Sequence, residues 1–134
     1  MSKTKEILTT STNIALVGAS KDLTKTSSVV MKYLQKYGYK VFPVNPNMKG
    51  ERILGETVFG KISEIKDKID IVDVFRPSNE AIEIAKETVI VGAKVLWLQL
   101  KIKNDDARKI VEANNILYIE DKCTKIEIEK FINK

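Results

Sequence analysis

The sequence predicts an α/β fold, in which a mostly parallel, doubly wound sheet lies between two layers of helices. Short, continuously apolar segments alternate along the chain with segments whose apolar residues recur at helical spacing. This is the pattern of parallel strands that are buried on both faces and joined by helices. With 134 residues, of which 43% are hydrophobic, the chain can bury one core, and we assign residues 1–134 to a single domain.

The first half of the chain is predicted to contain two helices and three strands. Residues 3–11 are expected to form an N-terminal helix. The second helix opens near Ser27, and its apolar residues recur at helical spacing up to Gly38, which supplies the stop. The strands are predicted from two apolar runs and one shorter apolar segment, and they lie at residues 14–18, 40–44 and 57–59.

The second half is predicted to alternate between strands and helices. Its apolar strands lie at residues 71–75, 95–98 and 116–119. Ser78 can cap the helix after the first of these strands, and Asn104 or Asp105 can cap the helix after the second. Thr124 and Glu127 have the spacing of a capping box at the start of the final helix. Because crossovers between parallel strands are right-handed, a Rossmann-like order of the sheet is the simplest topology.

The composition limits the chemistry that this chain can perform. It contains no histidine, which excludes histidine metal ligands, histidine general bases and phosphohistidine intermediates. The net charge of +5 permits an anionic partner, but the lysines are interleaved with acids, as on an ordinary solvated surface. No basic run is interleaved with aromatic residues, so we expect no nucleic-acid partner. We also predict no metal site.

The same sequence favours a cytoplasmic protein. No apolar run approaches the ~20 residues that a membrane-spanning helix needs, and the N-terminal residues lack the apolar stretch of a secretory signal. We therefore expect no membrane partner. Cys123 is the only cysteine, so an internal disulfide is excluded and a reducing compartment is favoured.

Five loops are predicted to lie at the carboxyl edge of the sheet, where doubly wound folds bind ligands. They comprise residues 18–28, 44–50, 75–78, 98–101 and 121–125. The first loop joins a buried strand to a helix start, and this construction presents backbone N–H groups and a helix dipole to an anion.

Of the dinucleotide pattern G-x-G-x-x-G, the first loop keeps only Gly18, so the glycine alone is equally well explained by the strand-to-helix turn. Hydroxyl and lysine side chains favour a phosphate, because they are suitable donors and gather at the helix start. They are Ser20, Lys21, Thr24, Lys25, Ser27 and Ser28.

The second loop argues against NAD as the ligand. NAD-binding folds place an acid near the end of the second strand to hold the ribose, whereas this chain has Val44-Asn45-Pro46 there. Val44 could pack on an adenine, and Asn45 could hydrogen-bond a base or a sugar. The alternative is that Pro43 and Pro46 only rigidify a turn.

The remaining loops offer fewer candidates. Arg76, between Phe75 and Pro77, could contact a phosphate, although an arginine there could equally lie on the surface. Gln99 is a polar residue at the end of an apolar strand. Cys123 comes after the last strand, either as a small buried hydrophobe or as a thiol close to a ligand.

Taken in order, these segments resemble the small stand-alone CoA-binding proteins, whose domain is similar to the N-terminal CoA-binding domain of the succinyl-CoA synthetase alpha subunit. The matching segments are residues 14–20, 38–46, 53–56, 72–76, 92–100 and 121–123. The resemblance implies a Rossmann-like fold that binds coenzyme A at the Gly18-Ala19-Ser20 turn. It implies no activity, because the phosphorylated histidine of the synthetase belongs to a different domain. Lys101 departs from the family, in which a glycine commonly follows Leu-Gln-Leu.

The leading interpretation is therefore a protein that binds coenzyme A or an acyl-CoA and has no evident catalytic residue. The predicted binding residues are Gly18, Ala19, Ser20, Lys21, Lys25, Ser27, Val44, Asn45, Pro46, Phe75, Arg76, Pro77, Gln99 and Cys123. A nucleotide-dependent enzyme, either an NAD oxidoreductase or an acyl-CoA transferase, is one alternative, weakened by the missing acid and by the lack of a nucleophile–histidine pair. A protein-interaction module is another, which an exposed Trp97 would favour.

Overall fold

A computed structural model describes residues 2–132, in which helices and strands alternate along the chain. The helices of this part are α1 (Lys3–Thr10), α2 (Thr26–Lys36), α3 (Ala81–Val91), α4 (Asp105–Glu112) and α5 (Thr124–Ile132). The strands are β1 (Asn13–Val17), β2 (Lys40–Val44), β3 (Arg52–Ile53), β4 (Glu56–Thr57), β5 (Ile71–Val74), β6 (Val95–Leu98) and β7 (Leu117–Ile119). Residues 1, 133 and 134 lie outside the described part, so the assignment of all 134 residues to one domain stays a prediction.

Five strands pair in parallel in the order β2-β1-β5-β6-β7. The chain winds outward from β1 to β2 on one side and from β5 to β7 on the other, so the strand order reverses between β1 and β5. Ligands of doubly wound folds bind outside the carboxyl ends of the strands at this switch point. The predicted α/β, Rossmann-like fold with helices on both sides of the sheet is confirmed.

Each face of the sheet has its own hydrophobic core. Ala15 and Val17 of β1 face α3 and α4, whereas Ile14 and Leu16 of the same strand face α1, α2 and α5. This alternation results from the two-residue period of a strand. Trp97 is fully buried in the second core, where its indole N–H donates to the Lys122 carbonyl at 2.8 Å. It is therefore a core residue rather than an exposed partner contact.

The N-terminal helix forms as predicted, but the short strand expected at residues 57–59 is displaced. β4 ends at Thr57 and pairs antiparallel with β3 in a small hairpin. Phe59 instead makes an isolated parallel bridge to Val44 at the end of β2. The apolar segment predicted as one strand is thus divided between a hairpin and the edge of the main sheet.

Two of the predicted helix caps are wrong. Ser78 begins a short 3-10 turn before α3, and its hydroxyl accepts a hydrogen bond from the Lys103 amide at 3.1 Å instead of capping the helix. Thr124 and Glu127 form no capping box, because both side chains bond to more distant elements. Asn104 does cap α4, since its side-chain oxygen accepts from the Ala107 amide at 2.9 Å.

Candidate functional site

The turn after β1 is the tightest point of the switch-point edge. Gly18 has a φ of +96°, a left-handed conformation that favours glycine. A β-carbon at this position would lie 3.0 Å from Cδ of Arg76 and 3.3 Å from the backbone carbon of Phe75. The turn is fixed to β2, because the Gly18 amide donates to the Val44 carbonyl at 3.0 Å. Glycine is therefore required here for both conformation and space.

Free backbone donors lie at the start of α2. Lys25 occupies the N-cap position without a side-chain hydrogen bond, and within residues 2–132 the amides of Thr26, Ser27 and Ser28 have no acceptor. A cavity of about 420 Å³ opens onto this end of the helix; its lining comprises Gly18, Ala19, Ser20, Lys25, Thr26, Ser27, Asn45, Met48, Phe75 and Arg76. Unpaired amides at a helix N-terminus, with the positive end of the dipole, suit an anion such as a phosphate.

Asn45 braces this cavity from the end of β2. Its side-chain nitrogen donates to the Ala19 carbonyl at 2.9 Å, and its side-chain oxygen accepts from the Asn47 amide at 2.9 Å. Both polar groups of the amide are thus engaged in holding the glycine turn and its own loop. The structure places Asn45 beside the predicted site as a support for the turn.

A second cavity of about 520 Å³ adjoins the first and shares Gly18, Asn45 and Arg76 with it. Apolar side chains from both sides of the switch point line it: Val17, Val44, Ile62 and Ile84. Along its wall lie three glutamates of the α3 region, Glu80, Glu83 and Glu87. No residue of this wall was predicted from the sequence, although residues 80, 83 and 87 have the spacing of one helix face.

Arg76 stands between the two cavities and is already paired. Its Nε and Nη2 donate to the two carboxylate oxygens of Glu80 at 3.1 and 2.7 Å. These hydrogen bonds hold the pKa of Glu80 below its ordinary value and raise that of Arg76. A phosphate in the first cavity would therefore meet an arginine whose position is set by a neighbouring acid.

Gln99 lies at the same sheet edge, but its side chain is turned inward and buried. Its Nε2 donates to Asp73 Oδ1 at 2.5 Å and to Thr124 Oγ1 at 3.2 Å, while Thr124 Oγ1 donates to Asp73 Oδ2 at 3.0 Å. Burial raises the pKa of Asp73 to about 7, against the lowering effect of these two hydrogen bonds. Asp73 was not predicted as a site residue, and its only signal in the sequence is that of an acid inside an apolar strand.

Three other predicted site residues lie outside both cavities. Cys123 is buried in the core against α5, with only 7% of its surface exposed. Pro77 lines neither cavity, and the exposed Lys21 forms an ion pair with Glu51. The structure thus brings together the first three loops, from Gly18 to Arg76, and leaves the Gln99 and Cys123 loops apart from them.

The loop after Gln99 has the shape that a glycine would favour. Lys101 adopts a φ of +68°, and its amide donates to Asp121 Oδ1 at 2.7 Å. A lysine in this conformation costs on the order of 1 kcal/mol relative to glycine. Although Lys101 stands where the family commonly has a glycine, the turn therefore keeps its left-handed conformation.

Two further features of residues 2–132 bear on function. No group of three or more His, Cys, Asp and Glu side chains is arranged to hold a metal ion. None of the helices in this part of the chain is long and apolar enough to cross a membrane.

Known proteins resemble this chain in both sequence and architecture. A family model described as a CoA binding domain matches residues 12–129. The uncharacterized protein YneT of Bacillus subtilis (strain 168) is 37% identical over 122 residues, which are 91% of this chain and 89% of that protein. A solved structure of a hypothetical protein from Pyrococcus horikoshii OT3 has a TM-score of 0.92 at 35% identity, covering 96% of this chain and 89% of the other.

A larger enzyme shares part of the sequence. The ADP-forming acetate–CoA ligase of Methanocaldococcus jannaschii is 28% identical over 82 residues. These residues are 61% of this chain but only 11% of the ligase, so the similarity concerns one section of that protein.

Proposed function

We propose that this chain, which belongs to the family of CoA binding domains, binds coenzyme A or an acyl-CoA. The proposed site is the cleft at the carboxyl ends of β1 and β5. In this proposal the chain supplies a binding site and no catalytic group. The cleft consists of the two adjoining cavities that share Gly18, Asn45 and Arg76.

The observation that carries the proposal is the uncapped start of α2 beside the Gly18 turn. CoA has a pyrophosphate and a ribose 3′-phosphate, and the free amides of Thr26 and Ser27, which line the first cavity, are suitable donors to one of these groups. Lys25 lines the same cavity and adds positive charge. Each charge-assisted hydrogen bond of this kind contributes roughly 1.5–3 kcal/mol.

The second cavity suits the adenine of the same ligand. An adenine is flat and largely apolar on its faces, so it can pack on Val44 and Ile62. Its amino group can donate to a carboxylate of the glutamate wall. A phosphate would be repelled there chiefly by Glu87, because the other two glutamates are paired with Arg76 and Lys86. This division of charge favours phosphates at α2 and the base along α3.

The thiol arm is then expected to run along the sheet edge towards β6. That strand lies two positions from β1, a distance of about 10 Å at roughly 4.8 Å per strand. Gln99 and Cys123 are both buried, so the arm would end over the backbone of the 98–101 loop. An acyl group on the thiol would project from the edge at this point.

Native mass spectrometry of the protein as purified, with subsequent release and identification of any ligand, tests the proposal directly. Calorimetric titrations with CoA and NAD complete this test. Adenosine 3′,5′-bisphosphate and adenosine serve as fragments of CoA with and without its phosphates. We expect binding of CoA and of the bisphosphate, and none of NAD, because no acid comes after β2. Comparable or tighter binding of NAD would contradict the proposal.

A further inference from the structure

An apolar groove lies outside the CoA cleft, between α2, the β3–β4 turn and the start of α5. Its volume is about 550 Å³, and it shares no lining residue with the two cleft cavities. Leu23, Val29, Tyr33 and Leu54 form its walls. Leu23 is 60% exposed and Val29 45% exposed, so two large apolar side chains meet water at one place. A contiguous apolar patch of this kind is typical of an interaction site.

Leu54 reaches the groove from a turn in which a leucine is unfavourable. The two residues between β3 and β4 both have positive φ, +47° at Leu54 and +85° at Gly55. Two-residue hairpin turns of this type prefer asparagine or aspartate before the glycine, so a leucine there is unfavourable for the backbone. The Leu54 carbonyl accepts from Gln35 Nε2 at 3.1 Å, which ties the turn to α2. The unfavourable residue thus forms a wall of the groove.

Positive charge surrounds the groove on both sides. Lys32 and Lys36 lie one helical turn apart on α2, and neither forms a salt bridge within residues 2–132. Lys125 lies across from them on α5, with its Nζ 5.1 Å from the Tyr33 ring centroid, and it is paired with Glu129 at 3.4 Å. No acidic side chain of the described residues lines the groove.

This arrangement of charge favours some classes of ligand in the groove over others. A second copy in a two-fold contact would bring six lysines together, which is unfavourable. A fatty acid would offer one carboxylate to the two lysines that are unpaired within residues 2–132, Lys32 and Lys36, and none to Lys125 on the other side. A segment with several carboxylates on both sides of an apolar stripe matches both of these unpaired lysines and can also reach Lys125.

We propose that the groove binds an amphipathic helix of a protein partner, with apolar residues facing Leu23, Val29 and Leu54 and acidic residues facing the lysines. Docking of an apolar helix face into a groove uses anchors at i, i+3, i+4 and i+7. The binding goes beyond the proposed CoA function and needs no CoA, so it can fail or succeed independently of it.

A labelled synthetic peptide with leucines at those four positions and glutamates on both flanks is the probe, with fluorescence anisotropy as the measurement. A matched peptide carries lysines in place of the glutamates. We expect saturable binding of the acidic peptide only, weakened at least about tenfold by Val29→Glu. Replacement of both Lys32 and Lys36 by Gln should weaken binding and reduce its salt dependence. Ile90→Glu is the control, because Ile90 is 72% exposed on α3, across the sheet.

Leu54→Asn keeps the test decisive if Val29→Glu fails to fold. Asparagine tolerates a positive φ, which offsets part of the core packing lost with Leu54, so this variant should still fold while it removes a wall of the groove. The proposal is overturned by equal binding of both peptides, by no saturable binding, or by full binding to Leu54→Asn. Displacement of the peptide by dodecanoate, or a dimer in sedimentation that Val29→Glu dissociates, would also overturn it, because another occupant would then fill the groove.

Discussion

Two halves of one sheet edge behave differently in this protein. At the carboxyl ends of β1 and β5, Gly18 and Arg76 border open cavities with free amide donors. At the ends of β6 and β7, Gln99 and Cys123 are buried beneath the start of α5, and the amide of Gln99 is bound to Asp73 and Thr124. We call these the open half and the closed half. Position at the carboxyl edge therefore does not by itself make a side chain available to a ligand.

The difference arises from the path that the chain takes after each strand. Eight residues, beginning with the Gly18 turn, separate β1 from α2, whereas only four residues separate β7 from α5, whose first residue, Thr124, is fully buried. Polar groups of the closed half bond to one another, whereas the backbone amides at the start of α2 in the open half are left for a ligand. The largest effects on binding are thus expected in the open half, and the largest effects on stability in the closed half.

The strongest test of the open half is Gly18→Val. The substitution should abolish measurable CoA binding in calorimetry, because a side chain would be strained at a φ of +96° and would crowd Arg76 and Phe75. Gly38→Val is the matched control, since Gly38 has a φ of +93° and no atom within 4 Å of an added β-carbon. Normal CoA binding by folded Gly18→Val would show that the pocket lies elsewhere.

Asp73→Asn tests the closed half through the pH dependence of stability. Folding raises the pKa of Asp73 from 3.8 to about 7, so the folded state binds this proton more tightly than the unfolded state. The free energy of unfolding should therefore fall as pH rises from about 4 to above 7, by on the order of 4 kcal/mol. Urea unfolding at pH 5 and pH 8 measures the part of this fall that lies between the two values.

We expect the Asp73→Asn variant to lose most of that pH dependence, while Asp67→Asn, which removes an exposed acid, keeps it. An unchanged slope in Asp73→Asn would mean that water reaches Asp73 and that the half is not closed. Asp70, whose pKa is lowered, titrates below this pH range and does not interfere.

Lys25→Ala and Arg76→Ala test how much side-chain charge contributes to CoA binding in the open half. Each should weaken CoA binding about tenfold or somewhat more and reduce its salt dependence, because each removes one charged donor to phosphate. Calorimetry at two salt concentrations measures both effects, and Lys66→Ala, at an exposed lysine outside the cleft, is the control. Full-strength binding by the double variant would show that backbone amides alone hold the phosphates.

The smallest effect is expected at Cys123. Because this thiol is buried against α5, incubation with CoA disulfide should leave the intact mass of the folded protein unchanged. A reducible adduct of CoA mass that disappears in Cys123→Ser would contradict the closed half, since the thiol would then meet the ligand arm.

The order of strands and helices could be predicted from the sequence because each apolar run was long enough to show its period. The glycine turn and the hydroxyl cluster at α2 were predictable for the same reason, since they are local in sequence. The bond from Gln99 to Asp73 joins residues that are 26 positions apart, and its counterpart from Thr124 spans 51. The spacing of Thr124 and Glu127 suggested a capping box, but both side chains instead bond to residues that are distant in the sequence.

The outer strands of the sheet differ in their protection against pairing with another chain. β2 contains Pro43, which has no N–H to offer, and its carbonyl already accepts from the Phe59 amide at 2.9 Å. β7 has no such cover in the described part of the chain, and Leu117 at its start is 43% exposed. Because open edges with apolar side chains are where strand addition begins, aggregation of partly unfolded chains is expected to start at β7. Its length of three residues limits how far such pairing can extend.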